Sequence, residues 1–428
     1  MYRFALFISI LIASLLMGSG ELQPLSLDEC IELGKSSNPS AQMTKLELQS
    51  RAWQFEGHQA TLKPQLMLSG NVPEFKRSIN SIPQPDGSVQ FLTQNQAYSN
   101  LNLSASHYLT QTGGSVWVSS ALSRIDLFGD ENSFYWQASP IILGFSQPLF
   151  QFNSLSWDKV LEPMKYKLAK KQFVENMEDV VIDISTRYFN YYISGISLEN
   201  ARFNTAINDT IYNISKGRYE VGKIAENDLL RTELAVMDAR IALDQALLNH
   251  QLSYENLLIT LGLGRQDSLY IQPPHKPDGL QLNVEEVLNL VRENNSKYLS
   301  WEIQNLEAMR TVKQRKSDRL LDANISASLG YNQTAGKIGD LYKNPLDREN
   351  VTLSFDMPLT GRKGNADLAR AEADQQQIAV MTQNAKRTFE LEIEYMMKEL
   401  VLLRAQLEIA ARSDSVAAMQ FDVAKNRY

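Results

Sequence analysis

From Asn365 to Tyr428 the chain runs 64 residues without a glycine or a proline. Inside that stretch Phe389, Ile393, Met396, Leu400, Leu403, Leu407 and Ala410 step alternately by four and three. This is a heptad seam, and it predicts one helix from about 363 to 428. At 1.5 Å per residue such a helix extends on the order of 95 Å. Ordinary globular helices are far shorter, so the seam points to a coiled coil or a helical repeat. A second stretch, about 153–217, places Phe173, Met177, Val180, Ile184, Tyr188 and Tyr191 on one face. Pro163 lies near its start, and Gly195 is its interior weak point.

The chain also repeats itself. Leu25 to Ser40 (LSLDECIELGKSSNPS) resembles Leu282 to Lys297 (LNVEEVLNLVRENNSK), each an amphipathic helix with an Asn-containing stop. Phe145 to Asn153 (FSQPLFQFN) matches Phe355 to Lys363 (FDMPLTGRK), and Ile214 to Tyr219 (ISKGRY) matches Val423 to Tyr428 (VAKNRY). Pro148 and Pro358 are 210 positions apart, and Tyr219 and Tyr428 are 209 apart. Two landmarks at nearly one offset predict a tandem duplication, each copy ordered as helix, strands and long helix. The first copy is read as 21–262, with strands about 65–148, the long helix about 153–217, a tip turn at 218–227 and a return helix at 228–262. A linker follows at 263–281. The second copy is read as 282–428, with strands about 323–358 and the long helix about 363–428. Nothing in it matches the return helix, so the sequence is expected to lack the second copy's final helix.

Between the helices the period changes to two. In NISASLGYN, Ile325, Ala327, Leu329 and Tyr331 share one face, and Asn324, Ser326, Ser328, Gly330 and Asn332 take the other. Val351, Leu353, Phe355 and Met357 alternate in the same way with Asn350, Thr352, Ser354 and Asp356. The first copy has Leu101, Leu103 and Ala105 in alternation, and a Gly-Gly turn at Gly113 and Gly114 before another strand. Strands with one apolar and one small polar face fit a transmembrane barrel, whose outer face meets lipid and whose inner face meets water. A soluble sheet with its apolar face on a core is the alternative. Pro148 and Pro358 lack an N–H, so each suits the end of a strand and a bend into the long helix.

Arg3, the apolar run Phe4 to Met17 and the small residues Gly18, Ser19 and Gly20 read as a secretory signal peptide over 1–20; an uncleaved inner-membrane anchor is the alternative. No later stretch approaches about 20 apolar residues, so any later membrane crossing must be made by strands. The formal net charge of −7, with signs mixed, speaks against nucleic acid as a partner. The four histidines, His58, His107, His250 and His275, show no metal-ligand spacing. Leu261 to Gly264 (LGLG) follows a helix rather than a strand, so it is no dinucleotide loop. No nucleophile–base pair is visible, and the chain is read as no enzyme, with no catalytic residue, metal or cofactor. The one cysteine, Cys30, has no partner in the chain and reads as a buried helix position.

The duplication, the FSQPLF…N junction and RYEVGKIAENDLL (Arg218 to Leu230) together resemble the TolC-like outer-membrane efflux protein family, over Leu25 to Tyr428. The resemblance implies an α+β membrane protein: a homotrimer whose strands close one transmembrane β-barrel in outer-membrane lipid. Its long coiled-coil helices would form an α-helical barrel in the periplasm. It implies a passive exit duct for drug efflux or type I secretion, working with a periplasmic membrane-fusion adaptor and an inner-membrane RND or ABC transporter. Arg218, Tyr219, Gly222 and Asp228 would then stand at the periplasmic tip, at the adaptor contact and gate. Arg427 and Tyr428 would stand at the second tip. Gly222 can take positive φ and reverse the chain, and Asp228 lies near a helix start, where a carboxylate is favoured. Two strands per copy would give the family's usual twelve-stranded barrel. The first copy has room for four, and the extra hairpin would widen the barrel or lie outside it. Two other readings are an exported helical adaptor or scaffold, and a truncated relic that no longer conducts.

Overall fold

The computed structural model describes residues 24–129, 131–264, 268–274 and 282–425. The expected signal peptide, part of the linker, and Arg427 and Tyr428 lie outside the described residues. In chain order the elements are α1 (Leu27–Ser37), α2 (Pro39–Thr61), β1 (Gln65–Pro83), β2 (Val89–Tyr108), β3 (Ser115–Phe128), β4 (Ser133–Pro148), α3 (Ser154–Glu220) and α4 (Glu226–Thr260). Then come α5 (Val284–Asn294), α6 (Ser296–Ser317), β5 (Asp322–Ala335), β6 (Leu346–Asp356) and α7 (Arg362–Lys425). Two helices, strands and a long helix thus occur twice in the same order. The chain divides into two compact units, Met1–Ser50 with Lys170–Gln281, and Arg51–Ala169 with Leu282–Tyr428.

In the first unit, helix caps set the chain directions. Ser26 and Glu29 form a capping box at the start of α1, the Ser26 N–H donating to Glu29 Oε2 at 2.8 Å. Asn38 sits between α1 and α2, where its Oδ1 accepts from the Ser40 and Ala41 N–H groups. Asn295 has the equivalent place between α5 and α6 and accepts from Lys297 N–H at 2.9 Å. The asparagine stop seen twice in the sequence is therefore also a start: it caps the following helix.

Cys30, Ile184, Tyr188, Leu257, Leu258 and Leu261 form the centre of this unit's core. The predicted face of α3 supplies Val180, Ile184 and Tyr188, all buried, with Met177 and Tyr191 packed at the margin. A Cβ on Gly34 would lie 2.2 Å from Ile184 Cδ1, so the glycine lets that side chain seat between α1 and α3. Leu25 bridges to Ile271 in parallel, and the Tyr188 hydroxyl donates to Gln272 O at 2.6 Å beside that bridge. Burial, and then the neighbouring Glu29 charge, push the Cys30 thiol up to about 11. Its thiolate is scarcely populated at neutral pH, which fits a packing role.

Gly262 ends α4 at φ +71, with Leu263 N–H donating to Leu258 O at 2.9 Å and Gly262 N–H to Ile259 O at 3.0 Å. This is a Schellman end. A Cβ on Gly262 would meet Ser37 O at 2.5 Å. The Ser37 hydroxyl and the Asn38 amide donate to the carbonyls of Leu261 and Thr260, both at 2.6 Å. The LGLG segment is thus the stitch between the end of α4 and the α1–α2 joint.

In the second unit α7 packs on α6 and α5. Val312 of α6 meets Leu368 and Ala371. Arg292 donates to Glu390 Oε1 at 2.9 Å, Tyr298 donates to the same oxygen at 3.1 Å, and the Lys297 ammonium lies 4.1 Å from the Phe389 ring centre. The start of α3 is tied to α6 by Lys165–Glu307 at 2.9 Å and Arg310–Asp158 at 3.0 Å. Phe389 of the heptad seam is buried, but Met396, Leu403 and Leu407 are exposed, and Met397 is buried instead of Met396. The side chains from Ala405 to Val423 are exposed throughout. The seam is therefore a periodic apolar face that the described chain covers over only part of its length.

The six strands among the described residues form one antiparallel sheet in the order β1-β2-β3-β4-β5-β6. The first copy supplies four strands and the second supplies two. β6 begins at Leu346, four residues before the alternation that opens at Asn350, because Asp347, Arg348 and Glu349 pair with Tyr331, Gly330 and Leu329 although their charges interrupt that alternation.

Candidate functional site

Three places bear on function: the two faces of the sheet, the strand-to-helix junctions and the tip of the α3–α4 hairpin. On the sheet the register lines side chains up in rows. Leu66, Ala105, Val118, Leu143 and Leu329 lie side by side across β1 to β5. The next row runs His107, Val116, Phe145, Ala327 and Val351, and then come Gln147, Ile325 and Leu353. These residues do not form a core. Leu66 is 74% exposed, Leu329 56% and Val351 75%. The opposite face carries Ser106, Trp117, Gly144, Ser328 and Asn350 in one row, and Ser146, Ser326 and Thr352 in the next. Trp117 lies over Gly144, where a Cβ would be 2.4 Å from the indole. The sheet thus has one bare apolar face and one face of mostly small polar groups, with Trp117 laid over Gly144. Among the described residues no helix is long and apolar enough to cross a membrane.

At the junctions Pro148 is the last residue of β4, paired with Asn324, and Pro358 lies between β6 and α7. Leu149 N–H donates to Ala323 O at 2.8 Å, so the chain leaves the sheet just after Pro148. Asn153, the last residue of the repeated junction motif, does two jobs. Its Oδ1 accepts from Ser156 N–H at 3.2 Å at the start of α3, and its amide donates to Thr110 O at 2.9 Å in the β2–β3 turn. Gln147 donates to Thr112 O in the same turn at 3.0 Å. Gly113 of that turn has φ +75 and faces the Asn153 side chain. Only the register of β2 and β3 reveals these contacts, which periodicity could not.

The tip is built from backbone. Lys223 N–H donates to Arg218 O at 2.8 Å and Gly222 N–H to Tyr219 O at 2.7 Å, a Schellman end to α3 with Gly222 at φ +71. Nothing lies within 4 Å of a Cβ placed on Gly222, so φ rather than space demands the glycine. Helix α4 starts after Ala225, which offers no side-chain cap. Glu226 and Asp228 occupy its first turn, where the exposed N–H groups favour negative charge. Arg218, Tyr219, Gly222 and Asp228 are all exposed and lie together around this turn. Pro148 and Pro358 belong to the second unit, at the end of β4 and just past the end of β6. Gly222→Ala is expected to cost about 1–2 kcal/mol of local stability through the left-handed backbone. Protection of the Gly222 and Lys223 amides in hydrogen exchange should fall roughly five- to thirtyfold, with the core of the first unit unaffected. An unchanged tip would show that the turn tolerates a side chain at that φ.

His250 of α4 packs beside Gly195 of α3. A Cβ on Gly195 would lie 3.5 Å from His250 Cε1, and the imidazole stacks on Tyr191 with ring centres 4.9 Å apart. The Ser194 hydroxyl is 3.1 Å from His250 Nδ1. Burial, helped by the Arg202 charge, holds His250 below the usual histidine range. The pair is packing between helices. Among the described residues no group of three or more His, Cys, Asp or Glu side chains could hold a metal.

The sequence profile described as "Outer membrane efflux protein" matches residues 31–263. No curated protein matches the chain significantly. Several solved structures share its fold. CusC, whose structures concern folding and transmembrane channel formation, superposes with a TM-score of 0.58 at 16% identity, covering 96% of this chain and 84% of that one. The CmeC outer membrane channel of Campylobacter jejuni gives 0.56 at 16% identity, over 85% and 68% of the two chains. The MtrE outer membrane channel of Neisseria gonorrhoeae, in its open state, gives 0.55 at 14%, over 85% and 70%. These likenesses establish the fold, and the profile covers more than half of the chain. With its twice-repeated order of helices and strands and its two-faced sheet, this chain belongs to the outer membrane efflux protein family.

Proposed function

We propose that the protein is the outer-membrane exit duct of an efflux or type I secretion system, a passive channel and not an enzyme. The observation that carries this reading is the sheet: an apolar face left bare across all six strands, backed by small polar residues. Such a face suits lipid on one side and a water-filled lumen on the other. Three chains close the barrel, and the long helices continue it into the periplasm. At their tip Arg218, Tyr219, Gly222 and Asp228 meet a periplasmic adaptor, which links the duct to an inner-membrane RND or ABC transporter. Rings of these residues, brought together by three-fold symmetry, gate the pore. The reversal at Gly222 supports this assignment, because it leaves Arg218 and Tyr219 on one side of the turn and Asp228 on the other.

The test is reconstitution of the full chain into planar bilayers. Insertion should give stepwise ion conductance, and Asp228→Asn should alter its cation preference or its closing. A protein that stays soluble without detergent and gives no conductance would sink the reading.

A further inference from the structure

The sheet has two open edges. β6 is exposed along its whole length, and β1 at all but one position. An unpaired edge is a template for another strand. In lipid it must be closed, because nothing else satisfies its N–H and C=O groups. Six strands cannot close on themselves, since the smallest outer-membrane barrels have about eight. The edge must therefore be met by another chain.

The edges fit a second copy. Every neighbouring pair in the sheet is antiparallel, and the strand number is even. β1 leads away from helix α2 and β6 leads back towards helix α7. The β6 edge of one copy therefore meets the β1 edge of the next in antiparallel direction, and the alternation is unbroken round the ring. The faces also agree: Leu66 and Leu68 of β1 and Val351 and Leu353 of β6 lie on the same bare apolar face. We infer that β1 of each chain pairs with β6 of its neighbour, so that three chains close an eighteen-stranded barrel rather than a twelve-stranded one. This rests on the three-chain channel proposed above.

The extra pair of strands belongs to the wall and is not an appendage. β2 pairs with β3 in unbroken register from Tyr108↔Ser115 to Asn95↔Phe128, whereas the β3–β4 register shifts between Ser119 and Ala121. The β2–β3 turn is fastened at the helical end of the sheet by Asn153 and Gln147. Only the outer part of the β1–β2 hairpin, from Ser78↔Gln94 to Pro83↔Val89, reaches beyond β3, so it projects past the wall. Barrel diameter grows roughly in proportion to strand number, so the lumen is about one and a half times as wide as twelve strands allow.

Paired cysteines in the full chain, oxidised in the native membrane, test this; Cys30 is buried and stays in place. Leu66→Cys or Leu68→Cys on β1 is combined with Val351→Cys or Leu353→Cys on β6. A parallel set combines Val116→Cys or Val118→Cys on β3 with the same β6 positions. The expected result is a shift of the main band on non-reducing gels from one chain to three for a β1–β6 pair, with no shift for the β3–β6 set. Light scattering of the detergent-extracted particle should count three chains. Cross-links in the β3–β6 set, or a three-chain particle with neither cross-link, would overturn the eighteen-stranded barrel and leave the channel standing. A two-chain particle closed by β1–β6 pairs would overturn it in favour of twelve strands. A single uncrosslinked chain would overturn both.

Discussion

Ile184→Ala is expected to lower the stability of the first unit by about 2–5 kcal/mol, near the upper end of that range. The side chain is fully buried among Cys30, Tyr188, Leu257 and Leu261. Removing three carbons there forfeits their transfer free energy and leaves a cavity walled by three helices that cannot all collapse into it. Ile182 supplies the control. It lies two residues away on the same helix and is 62% exposed, so Ile182→Ala should stay within about 0.5 kcal/mol. Urea unfolding of detergent-solubilised protein, followed by hydrogen exchange of the α3 amides, separates the two. Equal effects would mean that the face chosen by periodicity is not the packed one.

Gly34 adds a second arm to this test. Its missing Cβ would sit 2.2 Å from Ile184 Cδ1, so Gly34→Ala alone overpacks the joint and should cost about 1–3 kcal/mol. In the Gly34→Ala/Ile184→Ala double variant the new methyl enters the space that the isoleucine left. The double cost should then fall short of the sum by about 1 kcal/mol or more. Additive effects would show that the two residues do not share one space.

Leu329→Arg is expected to cost about 2–4 kcal/mol per chain if its face meets lipid near the middle of the bilayer. Leu329 sits near the middle of β5, in the row that also holds Val118 and Leu143. Ser328 is its neighbour in sequence but faces the other way, beside Gly144 and Asn350. Ser328→Arg places the same charge in water and should leave assembly nearly unchanged. In a three-chain barrel the Leu329 penalty acts three times, so the assembled, heat-resistant species should all but disappear from the membrane. If both variants assemble alike, the apolar face is not lipid-facing and the barrel reading fails.

The two variants differ by one position, and that contrast is already written in the alternation of Ile325, Ala327 and Leu329 against Asn324, Ser326 and Ser328. Period two gives a strand its faces before any partner is known. In the same way, Val180, Ile184 and Tyr188 declared the packed face of α3 by their spacing, and all three are buried. The junction motif was visible as a repeat, yet the double duty of Asn153 as helix cap and turn anchor was not. The second of those contacts joins residues 43 positions apart. Gly195 is legible as the interior glycine of α3, but only the fold sets His250 of the next helix beside it. The heptad seam of α7 is legible in its spacing, but its coverage is not: Leu403 and Leu407 are exposed, and Met397 is buried in place of Met396. A seam states that a face is apolar, but which chain covers it is a separate matter.

Local periodicity, the asparagine and glycine punctuation, and the doubled order of elements were determined by the sequence alone, because each depends on residues a few places apart. The joining of both copies into one sheet, and the count of six strands within it, were decided only in three dimensions. Ser146 meets Asn324 across 178 positions, and no short-range pattern records such a meeting. Strand pairing depends on backbone groups that every residue carries, so only the folded register shows which edges are taken and which stay open.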